Sequence, residues 1–279
     1  MQQMRRGHDQ LSQSFSRYDF LISELSVPAS IIRDNKSLFA RYEELVAGDI
    51  VVGRIRLRTS EEGLITDLVQ RGIHLVPSGL SQLCSRSKVL QAQLLKKFMG
   101  PGTSVVHDHH DMQRLVGRFR DDEPLICKLD RANGGTGIFR FSSIEDVYTQ
   151  SMLGSLAYPF VLQPFYAGCR DVRVVMLGDV REAYERHNSN NFRHNLHFGG
   201  TSRSWPLNRE LQELCERIMN RAGFPYAHLD FLVSADGAFR LSEINLRGGL
   251  RGAGLSQADY LDQVEKIHAG IVDGLREQQ

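Results

Sequence analysis

The sequence predicts an α+β chain, a small α/β layer followed by strand-rich lobes, and two observations carry that expectation. Up to about residue 86, short apolar runs alternate with helical patterns; beyond it, strands follow one another through short glycine-bearing turns. Length agrees, since 279 residues suffice for roughly two domains of about 150 residues. The composition is globular, with 41% hydrophobic and 24% charged residues and 25 Gly without a period, which excludes collagen-like, low-complexity and disordered chains. A formal charge of +1 gives no general electrostatic reason to bind nucleic acid or an anionic membrane. No apolar run reaches about 18 residues, and MQQMRRGHDQLSQSFSRYD lacks the apolar stretch of a signal peptide, so a soluble, cytoplasmic protein is expected. Cys84, Cys127, Cys169 and Cys215 are far apart, with no zinc-like spacing, and read as reduced thiols.

In chain order, Tyr18 to Ile22, Ser30 to Ile32 and Asp49 to Ile55 read as strands. Glu61 to Gln70 places Leu64, Ile65, Leu68 and Val69 on one helical face, stops before Gly72 and leads into the strand Ile73 to Val76. Ser87 caps a helix carrying Leu90, Leu94, Leu95 and Phe98, closed by Gly100-Pro101, and a domain boundary is expected near residue 86. Strands follow at Leu125 to Leu129, Ile138 to Phe141, Phe160 to Phe165, Asp171 to Leu177 and Val180 to Arg186. A helix with Leu211, Leu214, Cys215 and Ile218 ends at Gly223, and a last one shows Leu261, Val264, Ile267, Ile271 and Leu275.

Two hairpins yield side-chain positions. Asp236-Gly237 is a strong two-residue turn signal inside HLDFLVSADGAFRLSEIN, and a symmetric turn there sets Asp230 opposite Glu243, with Asn245 on the same face. Two carboxylates about 5 Å apart repel by roughly 3 kcal/mol at an effective dielectric of about 20, and a bound cation would reverse that sign. Oxygen donors of this kind suit Mg²⁺; hydrated acids on a solvent-facing hairpin are the equally weighted alternative. In DVRVVMLGDVREAYER a turn at Gly178-Asp179 sets Asp171 opposite Arg186 and Arg173 opposite Tyr184, which taken alone reads as a surface salt bridge.

Between LICKL and IFRF lies DRANGGTG, whose Gly134, Gly135 and Gly137 permit close backbone approach and can aim N–H groups at phosphate oxygens, with Lys128 just upstream as a point charge. It matches neither GxxxxGK[ST] nor GxGxxG, and most such hairpins bind nothing. Residues 186 to 203 hold Arg186, His187, Arg193, His194, His197 and Arg203 with no acid, which favours an anion, although for the stretch taken alone a flexible solvated loop is the better reading. His107, His109 and His110 lack a ligand-helix pattern and read as a polar connector.

Lys88, Lys128 with NGGTG, FVLQPF, GCRDVRVV, YERHNSNNFRHNLHFGG, HLDF and EIN occur in an order that resembles the ATP-grasp superfamily, and within it the RimK-like carboxylate–amine ligases, over about residues 85 to 255. The resemblance implies an ATP-grasp fold with a preceding α/β domain at 1–86, a small lobe at 87–165 and a large lobe at 166–279. It implies that Lys88, Lys128 and the Gly134, Gly135 and Gly137 loop contact ATP phosphates, that Gln163 to Phe165 form the hinge along the adenine, and that Asp171 lies beside the ribose. Asn191, Arg193 and Asn195 would contact nucleotide phosphates, and Asp230, Glu243 and Asn245 match Mg²⁺ ligands, for two ions, with Mn²⁺ as a substitute. Arg173 and Arg186 would face the transferred phosphate or the substrate carboxylate. Arg247 and Arg251 are offered as substrate-carboxylate anchors because Arg binds carboxylates bidentately.

The sequence departs from the family at Pro164, which has no N–H and so leaves adenine recognition to groups such as the Phe165 N–H, and also at Asn191, Phe198 and LRGGLRG. The implied activity is amide or peptide bond formation through an acylphosphate, with an amino acid such as glutamate as one partner and a homo-oligomer left open. The alternative is a nucleotide-binding regulatory module that performs no ligation. No general base is singled out.

Overall fold

The computed structural model describes residues 29–132, 135–188 and 200–278, and its packing divides the chain into Met1–Gln82 with Glu265–Gln279, and Leu83–Val264. The expected strand Tyr18 to Ile22 lies outside the described residues. In the first unit β1 (Ile31–Ile32), β2 (Ile50–Val52) and β3 (His74–Val76) form a parallel sheet in that order, as alternating strands and helices require. Helix α1 (Asn35–Ala40) starts where the Asp34 carboxylate accepts the Ser37 N–H at 2.8 Å. Helix α2 (Gly63–Gln70) buries Ile65 and Leu68, but Val69 of the expected apolar face is 54% exposed, and the short α3 (Gly79–Cys84) follows β3.

The second unit opens with α4 (Lys88–Leu94), whose Ser87 Oγ accepts the Leu90 N–H at 3.0 Å, as the cap signal predicts. The helix is shorter than its apolar pattern, because Lys96–Phe98 tighten into a 3₁₀ turn. Next come β4 (Ser104–Val106), α5 (His109–Val116), β5 (Leu125–Leu129), β6 (Ile138–Phe141), α6 (Ile144–Met152) and β7 (Phe160–Pro164). These strands form a sheet in the order β4-β7-β5-β6. One face packs Leu125, Cys127, Phe160 and Leu162 against Met112 and Leu115 of α5 and Ile144 and Val147 of α6. Period-two alternation therefore turns Ile126, Lys128, Val161 and Gln163 to the opposite face, where Val161 meets Val89 and Ala92 of α4. The histidine stretch is not a connector: Asp108 caps α5 on the Asp111 N–H at 2.9 Å, and His109 and His110 form its first turn.

A second, antiparallel sheet contains β8 (Arg170–Leu177), β9 (Val180–His187), β10 (Thr201–Ser204), β11 (Ala227–Val233) and β12 (Phe239–Asn245) in the order β10-β9-β8-β11-β12. Helix α7 (Arg209–Ala222) buries Leu211, Cys215, Ile218 and Ala222 and ends at Gly223, whose φ of 67° supplies the left-handed cap. The final helix is α8 (Gln257–Glu277). Its Val272 packs with Ile50, Val52 and Val76, so Glu265–Gln279 group with the first unit. No helix among the described residues is long and apolar enough to cross a membrane.

Candidate active site

Strand register brings the chemistry together. β8 and β9 pair from Asp171↔Arg186 through Arg173↔Tyr184 to Leu177↔Val180, and β11 sets Asp230 beside Arg173 on one flank and Glu243 on the other. One row across the sheet therefore reads Tyr184, Arg173, Asp230, Glu243. The turn does not set this register in the way a symmetric hairpin would. Pairs nearer the turn, such as Phe231↔Leu241, are offset by one, and a bulge between Asp230 and Phe231 restores Asp230↔Glu243, with Ser242 as the extra residue.

Arg173 Nε and Nη2 donate to Asp230 Oδ1 and Oδ2 at 2.7 and 2.8 Å, and its Nη1 donates to the Gly249 carbonyl at 3.2 Å. Arg186 Nε donates to Asp171 Oδ1 at 2.7 Å, while its Nη2 lies 3.1 Å from Asp230 Oδ2. These four side chains are only 6% to 17% exposed, so the pair read as a surface salt bridge belongs to a buried, charge-balanced network. Burial alone would lift the Asp230 carboxyl, but Arg173 and Arg186 outweigh it and hold it far below the usual carboxylate range. Asp171 goes the other way: burial and the neighbouring Asp230 charge raise it, and Arg186 offsets only part of that.

The repulsion that seemed to require a metal is thus met by the protein itself. Two guanidiniums neutralise Asp230, and Lys88 Nζ lies 3.4 Å from Glu243 Oε1. Among the described residues no cluster of three or more His, Cys, Asp or Glu is arranged to hold a metal. The donors still fit a magnesium ion that shares phosphate oxygens. Glu243 is 24% exposed, Asn245 lies two residues along the same strand, and Asp230 Oδ1 keeps a lone pair beyond its Arg173 bond, while Oδ2 is shared by Arg173 and Arg186.

The cationic side comes from the first sheet and α4. Lys88 is the first residue of α4 and donates to the Ala132 carbonyl at 2.5 Å, beside the glycine turn. Lys128 reaches Ser242, donating to its carbonyl at 3.1 Å and to its Oγ at 3.0 Å. Burial, with the Lys88 charge adding to it and Glu243 opposing, lowers the Lys128 ammonium to about 8. Gly135 has φ 78°, and a Cβ on Gly137 would lie 2.2 Å from Ala132 Cβ, so this turn requires glycine at both positions. Gly134, Asn191, Arg193 and Asn195 lie outside the described residues.

Gln163 is 6% exposed on the face shared with Lys128. The Phe165 N–H, expected to serve the adenine, donates instead to the Pro124 carbonyl at 2.8 Å, while Arg140 stacks 4.1 Å from the Phe165 ring centre. Asp171 and Arg186 line a groove of about 600 Å³ with Cys169, Glu185, Ser202 and Arg203. Arg247 and Arg251 are exposed on the segment after β12. Each guanidinium nitrogen of Arg173 donates a hydrogen bond, Nε and Nη2 to Asp230 and Nη1 to Gly249.

Other contributors gave no usable signal in the sequence. Gln91, 1% exposed, bonds both backbone groups of Ile244, donating to its carbonyl at 2.9 Å and accepting its N–H at 3.0 Å, and so completes the edge strand β12. Asp130 accepts the Ser87 hydroxyl at 2.9 Å and the Val89 N–H at 3.1 Å, tying the glycine turn to the start of α4. His228, 1% exposed, has no hydrogen-bond partner for either ring nitrogen among the described residues.

Residues 85–266 match the RimK-like ATP-grasp domain. A Cellvibrio japonicus protein named probable alpha-L-glutamate ligase is 28% identical over 222 residues, spanning 75% of this chain and 72% of the relative. The fold is similar to the VanG D-Ala:D-Ser ligase from Enterococcus faecalis, with TM-score 0.56 and 16% identity over 84% of both chains. It is also similar to the ATP-grasp ligase PsnB, solved with a phosphomimetic variant of its minimal precursor, Mg and ADP, with TM-score 0.52 and 19% identity over 75% of this chain and 67% of that one. None of these supports a regulatory module without ligation. The chain belongs to the RimK-like ATP-grasp family and is an ATP-dependent carboxylate–amine ligase.

Proposed function

We propose that the chain joins L-glutamate, as the amine, to the carboxylate of a glutamate-ended peptide through an acylphosphate. The observation that carries this reading is the convergence of Lys88 and Lys128 on the Ser242–Glu243 stretch of β12, beside the Ala132–Gly137 turn. Two ammonium groups and a glycine turn next to oxygen donors form a site for a triphosphate. In this reading Lys88 exchanges the Ala132 carbonyl for phosphate oxygen, and Lys128 presents its remaining N–H to the same group. The turn through Gly134, Gly135 and Gly137 covers the phosphates, Gln163 borders the adenine, and Asp171 borders the ribose.

Asp230, Glu243 and Asn245 would hold magnesium, which when bound neutralises phosphate charge. Arg173 and Arg186 act by orienting Asp230. Asn191, Arg193 and Asn195 are assigned to the nucleotide phosphates, and Arg247 and Arg251 to substrate carboxylates. Positioned cations let the substrate carboxylate approach the γ-phosphate, and exclusion of water protects the acylphosphate until the amine attacks. The name of the Cellvibrio relative supports glutamate. The test is ADP release from Mg-ATP with L-glutamate, a glutamate-ended peptide, or both. Release that requires both supports the proposal; none with any combination overturns the choice of glutamate.

A further inference from the structure

We infer that His228 is a positioning residue whose ring, lying directly under Gly248, fixes the path of the Arg247–Arg251 segment. Three observations meet there. The imidazole is 1% exposed and neither nitrogen has a hydrogen-bond partner among the described residues, so no hydrogen bond there explains its presence. A Cβ on Gly248 would lie 2.6 Å from His228 Nδ1, 2.7 Å from its Cγ and 3.1 Å from Arg173 Nη1, closer than packed atoms come. The ring cannot easily retreat, because it sits on β11 between β8 and β12 with Tyr260 at 5.4 Å.

The segment above it is also tied down. Gly249 accepts Arg173 Nη1, the Leu246 N–H donates to Ser85 Oγ at 2.9 Å, and the Gly254 N–H donates to Glu182 at 2.9 Å. The backbone at Gly248 does not require positive φ, so contact with His228 is what demands glycine. Because Arg173 grips Asp230 with its other two nitrogens, a displaced Gly248 would disturb both the substrate-side arginines and a metal-site carboxylate.

The part played by this segment in substrate binding rests on the ligase reading; the steric pair itself does not. The test is a mutant cycle on the full chain with Gly248→Ala, His228→Ala and the double variant. One readout is the rate of trypsin cleavage after Arg251, which needs no substrate; the other is KM for L-glutamate. Gly248→Ala is expected to speed cleavage at least fivefold and to raise KM about tenfold, and His228→Ala in the same chain to return both most of the way. At Gly249, where a Cβ meets nothing within 4 Å, the same substitution should do far less. If Gly248→Ala instead melts the fold, the double variant must recover the melting temperature. Failure of His228→Ala to rescue cleavage or melting overturns the inference. Rescued cleavage with no glutamate turnover in any chain, wild type included, upholds the pair and refutes only the choice of glutamate.

Discussion

Replacing Asp230 by Asn should cost folding stability as well as nucleotide use, whereas Glu243→Gln should cost only the latter. Reasoning from opposed carboxylates alone makes the two substitutions equivalent and harmless to the ligand-free hairpin. The structure separates them. Asp230 accepts a two-point contact from Arg173 at 2.7 and 2.8 Å and a third from Arg186 at 3.1 Å, with side-chain exposures of 11%, 14% and 6%. Asn removes the negative charge and leaves two buried guanidiniums sharing Asp171. Breaking a buried pair from one side costs about 3–5 kcal/mol. For a chain of this size that corresponds to a melting temperature lower by roughly 10 °C.

Glu243 is 24% exposed and meets Lys88 at 3.4 Å, a contact worth about 0–1 kcal/mol. The assay is urea unfolding and thermal melting of both variants without nucleotide, together with calorimetry of Mg-ATP binding. Equal stability of the two variants would refute the internal neutralisation of Asp230. The sign with pH follows from its depressed carboxyl. The stability it contributes is fully present above the ordinary value of 3.8 and is lost as pH falls through the lower folded value, so Asp230→Asn should flatten that acid limb.

Lys128→Met should stabilise the ligand-free protein while abolishing nucleotide binding. The gap between about 8 and 10.5 corresponds to about 3 kcal/mol, of which loss of the two Ser242 hydrogen bonds returns about half. This penalty applies fully below pH 8 and fades as pH rises to 10.5, so the gain in melting temperature should vanish at high pH. Gly137→Ala should weaken Mg-ATP binding at least tenfold by calorimetry, because its Cβ would force the turn away from Ala132. Ser87→Ala should lower stability by about 1–2 kcal/mol in urea unfolding, since it removes the cap of α4 and a partner of buried Asp130.

Most strands and the Gly178-Asp179 turn were legible because alternation and a Gly-Asp dipeptide act locally, whereas the turn expected as two residues at Asp236-Gly237 is a three-residue loop closed by Ser234 and Ala238. Gly178-Asp179 gave every pair between β8 and β9. The same logic placed Asp230 opposite Glu243, although for an incomplete reason, since the Ser242 bulge is invisible to a pattern that counts residues symmetrically. Burial was not legible. Asp171 and Arg186 look the same in sequence whether they lie on a surface or are enclosed between strands, and only the tertiary arrangement makes their network dry. The Phe165 N–H seemed available because Pro164 has none, but its partner Pro124 is distant in sequence and adjacent only across the sheet. Gln91 and His228 carry no motif, and their roles arise from which strand edge or glycine they meet. The end of α8 shows the same limit, because its apolar stripe does not reveal which unit covers it.

The most direct test of acyl activation by ATP is to follow oxygen. A glutamate-ended peptide carrying ¹⁸O in its C-terminal carboxylate is incubated with the chain, Mg-ATP and L-glutamate, and the released phosphate is examined by mass spectrometry. Transfer of one ¹⁸O to phosphate for each amide formed is the predicted result; amide formation with unlabelled phosphate would contradict it.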